Sequence, residues 1–181
     1  MKSDKTFFDL DLNWINNINV NLSAVERRTT TLVKRRSVKK EYQASWLLKA
    51  ITLIDLTTLS GDDTFGKVDR LCKKALNPIA NNILSKLEIN EDAVKVGAVC
   101  VYHHLVSQAK NQLKGQLPIA AVSTGFPAGL SSFSTRKKEV VDSIKSGANE
   151  IDIVINRGFV IQNNWKKLYD EVKSFKLAAN K

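Results

Sequence analysis

Four polar side chains in this sequence are placed where they could do chemistry: Asp55, Cys100, Thr124 and Asp152, each at or near the end of a short apolar run. Asp152 poses the sharpest question. It stands in Gly147-Ala-Asn-Glu-Ile-Asp-Ile-Val-Ile-Asn156, where Ile151, Ile153 and Ile155 share one face of a strand and Asp152, Val154 and Asn156 share the other. A strand so rich in β-branched residues on both faces belongs in a sheet covered on both sides. A carboxylate there must be compensated, by backbone N–H groups or by a basic neighbour, or else its ionisation is put to use. Asp55, ahead of Leu-Thr-Thr, either works at a strand end or caps the loop that follows. Cys100 reads by default as a small buried hydrophobe without a nucleophilic role.

The elements that must position these residues are regular from Ala50 onward. Apolar runs at about Ala50–Thr57, Val96–Tyr102, Ile119–Thr124 and Glu150–Asn156 predict four strands. Helical patterns near Lys67–Ala75, Leu105–Lys114, Thr135–Ser146 and Asn164–Ala178 follow them, with a further short helix over Ile79–Leu87. Strands alternating with helices of this length give an α/β chain with a parallel sheet. Four such units suit either a small open sheet or half of a (β/α)8 barrel, and spacing alone does not separate the two. The barrel is favoured by Asp55 and Thr57, Cys100 and Tyr102, Ser123 and Thr124, and Asp152 and Asn156, polar residues gathered toward the C-terminal ends of all four runs. Ahead of them, residues 1–49 form an N-terminal arm with helices. Ser23 and Glu26 make a capping box for a basic helix over Ala24–Arg36. A second helix, Val38–Lys49, carries Tyr42, Ala44, Trp46 and Leu47 into the core.

Composition narrows the classes of function. The chain has 181 residues, 43% of them hydrophobic, enough for one domain with a real core. It lacks both an apolar run long enough to span a membrane and a signal-peptide core, so a cytoplasmic setting is the expectation. Two cysteines, Cys72 and Cys100, are too few for a disulfide framework or a zinc site. The net charge of +10 invites a nucleic-acid reading, yet seven basic residues cluster between Glu26 and Glu41 and no aromatic stacking pattern accompanies them. That distribution argues for a solvated basic helix and against nucleic acid as the main partner. His103-His104 resembles a metal pair only superficially, because adjacent residues diverge on a strand or a helix, and we expect it at the surface. The Gly125-Phe-Pro-Ala-Gly129 loop fits no phosphate-binding fingerprint.

At these residues the sequence resembles the deoxyribose-phosphate aldolase family. Ile54-Asp-Leu-Thr-Thr-Leu-Ser-Gly-Asp-Asp-Thr64 is similar to that family's first strand and loop, Ala98-Val-Cys-Val-Tyr102 to its second strand, Val122-Ser-Thr-Gly-Phe-Pro-Ala-Gly129 to its third and Gly147–Asn156 to its fourth. The resemblance implies a (β/α)8 TIM barrel, here the first four βα units over residues 50–181 with N-terminal helices before them. It also implies a class I aldolase, a carbon–carbon lyase that uses no metal or other cofactor. Such enzymes reversibly cleave 2-deoxy-D-ribose 5-phosphate to glyceraldehyde 3-phosphate and acetaldehyde through a lysine Schiff base. Asp152 then matches the proton-relay aspartate, Asp55 the aspartate near the substrate hydroxyls and Cys100 a cysteine lining the site. Thr124 joins Asp55 and Cys100 as a substrate contact.

Two departures from the family pattern shape what to expect. His103 stands where the family has proline after the strand-two tyrosine. The Schiff-base lysine, its partner lysine and the glycine-rich phosphate loops belong to later strands of the family. No lysine lies within the four predicted strands: Lys95 is at the wrong end of the second, and Lys67, Lys137 and Lys166 fall on helices. The expectation is therefore an N-terminal half with no aldolase activity alone, taking a phosphosugar only when completed by the other half. The alternative is a non-catalytic half-barrel module that binds or assembles, for instance as a homo-oligomer, through its open sheet edges.

Overall fold

The computed structural model describes residues 8–35 and 38–180. The chain divides into two compact units, Met1–Trp46 and Leu47–Lys181. In the first, helices α1 (Leu12–Asn16) and α2 (Leu22–Leu32) contain no buried residue. The capping box at Ser23 does not form. Asn21 is the cap, its side-chain oxygen accepting from the Ala24 N–H at 3.0 Å, so Ser23 lies inside the helix. Asn is at least as good an N-cap as Ser and stands two residues earlier, which is enough to move the boundary. The helix ends at Leu32; Arg36, its expected end, lies outside the described residues.

Helix α3 covers Lys40–Ile51 and corrects two further expectations. Tyr42, Trp46 and Leu47 are more than half exposed and Ala44 is only half-buried, so this helix carries none of them into a core. The apolar run from Ala50 also continues the helix before it becomes a strand, with Leu53 and Ile54 N–H groups donating back to Ala50 and Ile51. A short apolar run is ambiguous between helix and strand, and here the helix takes its first half.

In the second unit, β1 (Asp55–Thr57), β2 (Ala98–Tyr102), β3 (Ile119–Ser123) and β4 (Glu150–Ile153) form one parallel sheet in the order β1-β2-β3-β4. Between them run α4 (Phe65–Leu76), α5 (Asn81–Lys86), α6 (Val106–Leu113) and α7 (Phe133–Ser146), and after β4 come α8 (Arg157–Ile161) and α9 (Trp165–Ala179). One face of the sheet carries the core. Leu56, Val99, Val101, Ile119, Ala121 and Ile151 pack with Val68 and Cys72 of α4 and Val106, Ala109 and Leu113 of α6. Ile151 and Ile153 also meet Val140 of α7 and Phe175 and Ala178 of α9. The packed helices all lie on that one face, whereas an open doubly wound sheet covers both. Consecutive parallel strands with helices on one side are the arrangement of half a (β/α)8 barrel.

The strand bearing Asp152 is not covered on both sides. Its residues alternate between exposed and half-buried, with Glu150 and Asp152 exposed. As an edge strand it packs Ile151 and Ile153 against α7 and α9 and leaves the other face open, so the carboxylate keeps its hydration and the cost of burying it does not arise. The strand ends at Ile153; Asn156 instead caps α8, accepting from the Gly158 N–H at 2.9 Å. Among the described residues no helix is long and apolar enough to cross a membrane.

Candidate functional site

The parallel register brings the chemistry-bearing residues onto the open face. Thr57 lies beside Cys100, Cys100 beside Ala120 and Ala120 beside Glu150; one step on, Tyr102 lies beside Val122 and Val122 beside Asp152. Lateral neighbours in a sheet point the same way, so Asp55, Thr57, Cys100, Tyr102, Glu150 and Asp152 share the face opposite the helices. At its centre Ala98, Cys100, Ala120 and Val122 are buried, while Asp55, Thr57, Glu150 and Asp152 are exposed around them.

Electrostatics ties three of these together. Burial pushes the Cys100 thiol above its ordinary value, and the charges of Asp152 and then Asp55 push the same way, against an opposing hydrogen bond to Thr57. A thiol so placed is no nucleophile. Burial likewise raises Cys72, to about 11, but Cys72 belongs to the helix-side core. Neither Asp55 nor Asp152 has an ion-pair partner among the described residues.

Residues 49–181 match the sequence model of the DeoC/LacD family aldolases. This chain belongs to that family. It is 50% identical over 173 residues to the deoxyribose-phosphate aldolase of Mus musculus and 48% identical to that of Homo sapiens, each match covering 94% of this chain and 54% of the relative. The chain thus spans about half the length of the curated relatives it matches. Among solved structures, QR15, an aldolase, superposes with a TM-score of 0.57 at 23% identity, covering 72% of this chain and 51% of that one. A deoxyribose phosphate aldolase from Aeropyrum pernix, described as tetrameric, gives 0.52 at 17%, covering 73% and 50%. These two likenesses show the (β/α)-barrel fold alone.

In this DeoC/LacD family chain Thr124 stands apart from the other three candidates. It is fully buried with a left-handed φ of 62°, and its hydroxyl donates to the Val154 carbonyl (2.9 Å) while accepting from the Val154 N–H (2.8 Å). It ties the end of β3 to the end of β4, and its oxygen is committed to that task. His104 is exposed. His103 occupies a 3-10 turn, half-buried, with Nδ1 3.3 Å from Glu139 Oε1 but without hydrogen-bond alignment. Among the described residues no group of three His, Cys, Asp or Glu side chains comes together as a metal-binding set.

Several supporting residues escape a reading of the sequence. The Glu139 carboxylate accepts from the Gly125 N–H at 2.8 Å, anchoring the Gly125–Gly129 loop where it leaves β3. Arg136 holds the far side, donating to the Ser131 carbonyl at 3.0 Å. At the end of β1, Asp63 accepts from the Thr58 hydroxyl and the Ser60 N–H and pairs with Lys67. Burial works against its charge, yet the bonds from Lys67, Thr58 and Ser60 outweigh it and hold the Asp63 carboxyl below its usual range. The only sequence signal for these anchors is their place, within or soon after a loop at the C-terminal end of a strand.

Proposed function

We propose that these residues supply the first half of a deoxyribose-phosphate aldolase site, which reversibly splits 2-deoxy-D-ribose 5-phosphate into glyceraldehyde 3-phosphate and acetaldehyde. The observation that carries this reading is the grouping of Asp55 and Asp152 about Cys100 on the open sheet face, in a chain whose family is an aldolase family. A class I aldolase cleaves the bond beyond its imine carbon, which needs a base for the hydroxyl proton and an acid for the enamine carbon. Asp152, exposed and hydrated, is suited to moving those protons. Asp55 meets the sugar hydroxyls, and Cys100 contributes a wall. Thr124 acts one step behind, fixing the end of β4. A phosphosugar partner and a cytoplasmic setting belong to the same reading.

The amine nucleophile is the part these residues do not supply. A Schiff-base lysine must project from a strand end into the site, and the four strands contain none. The 181-residue chain alone is therefore inactive. Treatment with acetaldehyde and borohydride leaves it unmodified; a covalent adduct on one lysine sinks that statement. The aldolase reading itself is tested by a chimera in which the matched 94% of this chain replaces the corresponding part of the mouse relative. It should cleave deoxyribose 5-phosphate, and Asp152→Asn should lower kcat by about 100-fold or more. A folded chimera without turnover overturns the reading.

A further inference from the structure

Helix α2 has no buried residue to hold it in place. Its 11 residues include three consecutive threonines, and it is shorter than the roughly 12–15 residues at which a helix begins to persist in water on its own. A helix of this kind draws its stability from burying one face. Leu22, Val25, Thr29, Leu32 and the capping residue Val33 recur at the spacing of one helical stripe, and the four apolar side chains among them are exposed. Thr29 does not interrupt the stripe, because its hydroxyl donates to the Glu26 carbonyl at 2.9 Å.

The other side of the helix adds a condition of charge. Arg27, Arg28 and Arg35 line a shallow groove of about 430 Å³ with Ala24 and Thr31. Between residues 22 and 40 the chain has seven lysines and arginines against one acid, Glu26. Among the described residues none of Arg27, Arg28, Lys34 and Arg35 has an ion-pair partner. A second copy laid on this helix would set cation against cation. A nucleic acid would take the arginines but leave the stripe in water, and α2 has no aromatic side chain on which a base could stack. A surface that is apolar inside and anionic at its boundary satisfies both faces at once.

We propose that α2 is an interfacial helix that lies on an anionic lipid surface, its apolar stripe sunk below the headgroups and Arg27, Arg28 and Arg35 reaching out to the phosphates. Lying in the plane of the interface requires one apolar face and no spanning length. Long basic side chains bend toward the headgroups while their stems stay with the apolar layer. No residue of the open sheet face takes part, so the outcome leaves the aldolase reading untouched.

The 181-residue chain is sedimented with sucrose-loaded vesicles of phosphatidylcholine, alone or with about one third phosphatidylserine. It should bind the anionic vesicles about tenfold or more tightly than the neutral ones, and release them as salt rises from about 0.1 M to about 1 M. Val25→Gln with Leu32→Gln keeps the charge and the helix propensity and should weaken that binding about tenfold or more. Arg27→Gln with Arg28→Gln keeps the stripe and should weaken it through charge. Thr29→Leu enlarges the stripe, favours the helix and should tighten binding. Because α2 buries nothing, these substitutions remove no core contact. Equal binding to neutral and anionic vesicles overturns the proposal, as does no binding to either. So does a Val25→Gln, Leu32→Gln variant that binds like the parent. Binding to a DNA duplex or to an acidic protein without binding to vesicles gives the helix a different partner and overturns it too.

Discussion

Arg136 and Glu171 face each other as a two-pronged ion pair, Nη2 to Oε1 at 2.6 Å and Nη1 to Oε2 at 3.0 Å, in a site where the residues are 4% and 8% exposed. The pair joins α7 to α9, and the guanidinium also lies 5.5 Å from the centre of the Phe175 ring. Removing one partner strands the other charge in a dry place. Arg136→Met should therefore cost about 3–5 kcal/mol in urea unfolding, and Arg136→Met with Glu171→Leu considerably less. A double substitution as damaging as the single would show that the pair is not what joins the helices.

Thr124 bridges two strand ends through one hydroxyl, so its loss leaves the Val154 N–H and C=O short of a partner. Thr124→Val should destabilise by about 1–3 kcal/mol, while Thr124→Ser, which keeps the oxygen, stays near the parent. Equal losses in the two variants would place the effect in the backbone.

Asp63 fixes the sign of one acid response. Its carboxyl is held below the usual range in the folded chain, so its contribution is fully present above the unfolded value and lost as pH falls through the lowered one. Asp63→Asn should be less stable than the parent near neutrality, with the gap closing below about pH 4. A gap that stays constant from pH 6 to pH 3 contradicts the assignment.

The open face can be probed without catalysis. Because the Asp152 charge raises the Cys100 thiol, Asp152→Asn should lower it and increase the thiolate fraction at a fixed alkaline pH. Iodoacetamide labelling of Cys100 should then speed up relative to Cys72, which lies in the other face's core and serves as the internal reference. Unchanged relative rates would mean that Asp152 does not act on this thiol.

The sequence made some features legible because they are written in adjacent residues. The alternation of Ile151, Asp152 and Ile153 assigns each side chain to a face without any knowledge of neighbours, and the run Ala98–Tyr102 declares a strand by its β-branched, apolar content. What cannot be read that way is whether a face is covered. Asp152 is exposed because β4 is an edge strand, a property of topology. Tyr42, Trp46 and Leu47 form an apolar set whose exposure no periodicity announces. Near-equivalent signals fail too: Asn21 and Ser23 are both good caps, and the helix starts from the earlier one. The anchors Glu139 and Arg136 look like ordinary helix-surface charges, since their partners Gly125 and Ser131 accept or donate through backbone atoms that carry no residue identity.

The strand order β1-β2-β3-β4 has a further consequence, for how the second unit is made. Each of β2, β3 and β4 pairs with the strand synthesised just before it, across a helical connection, so these three pairings are all between neighbours in sequence. Contacts that are short in sequence close quickly and at small entropic cost. The sheet can therefore be added to one βα unit at a time as the chain leaves the ribosome, each finished unit serving as the template for the next.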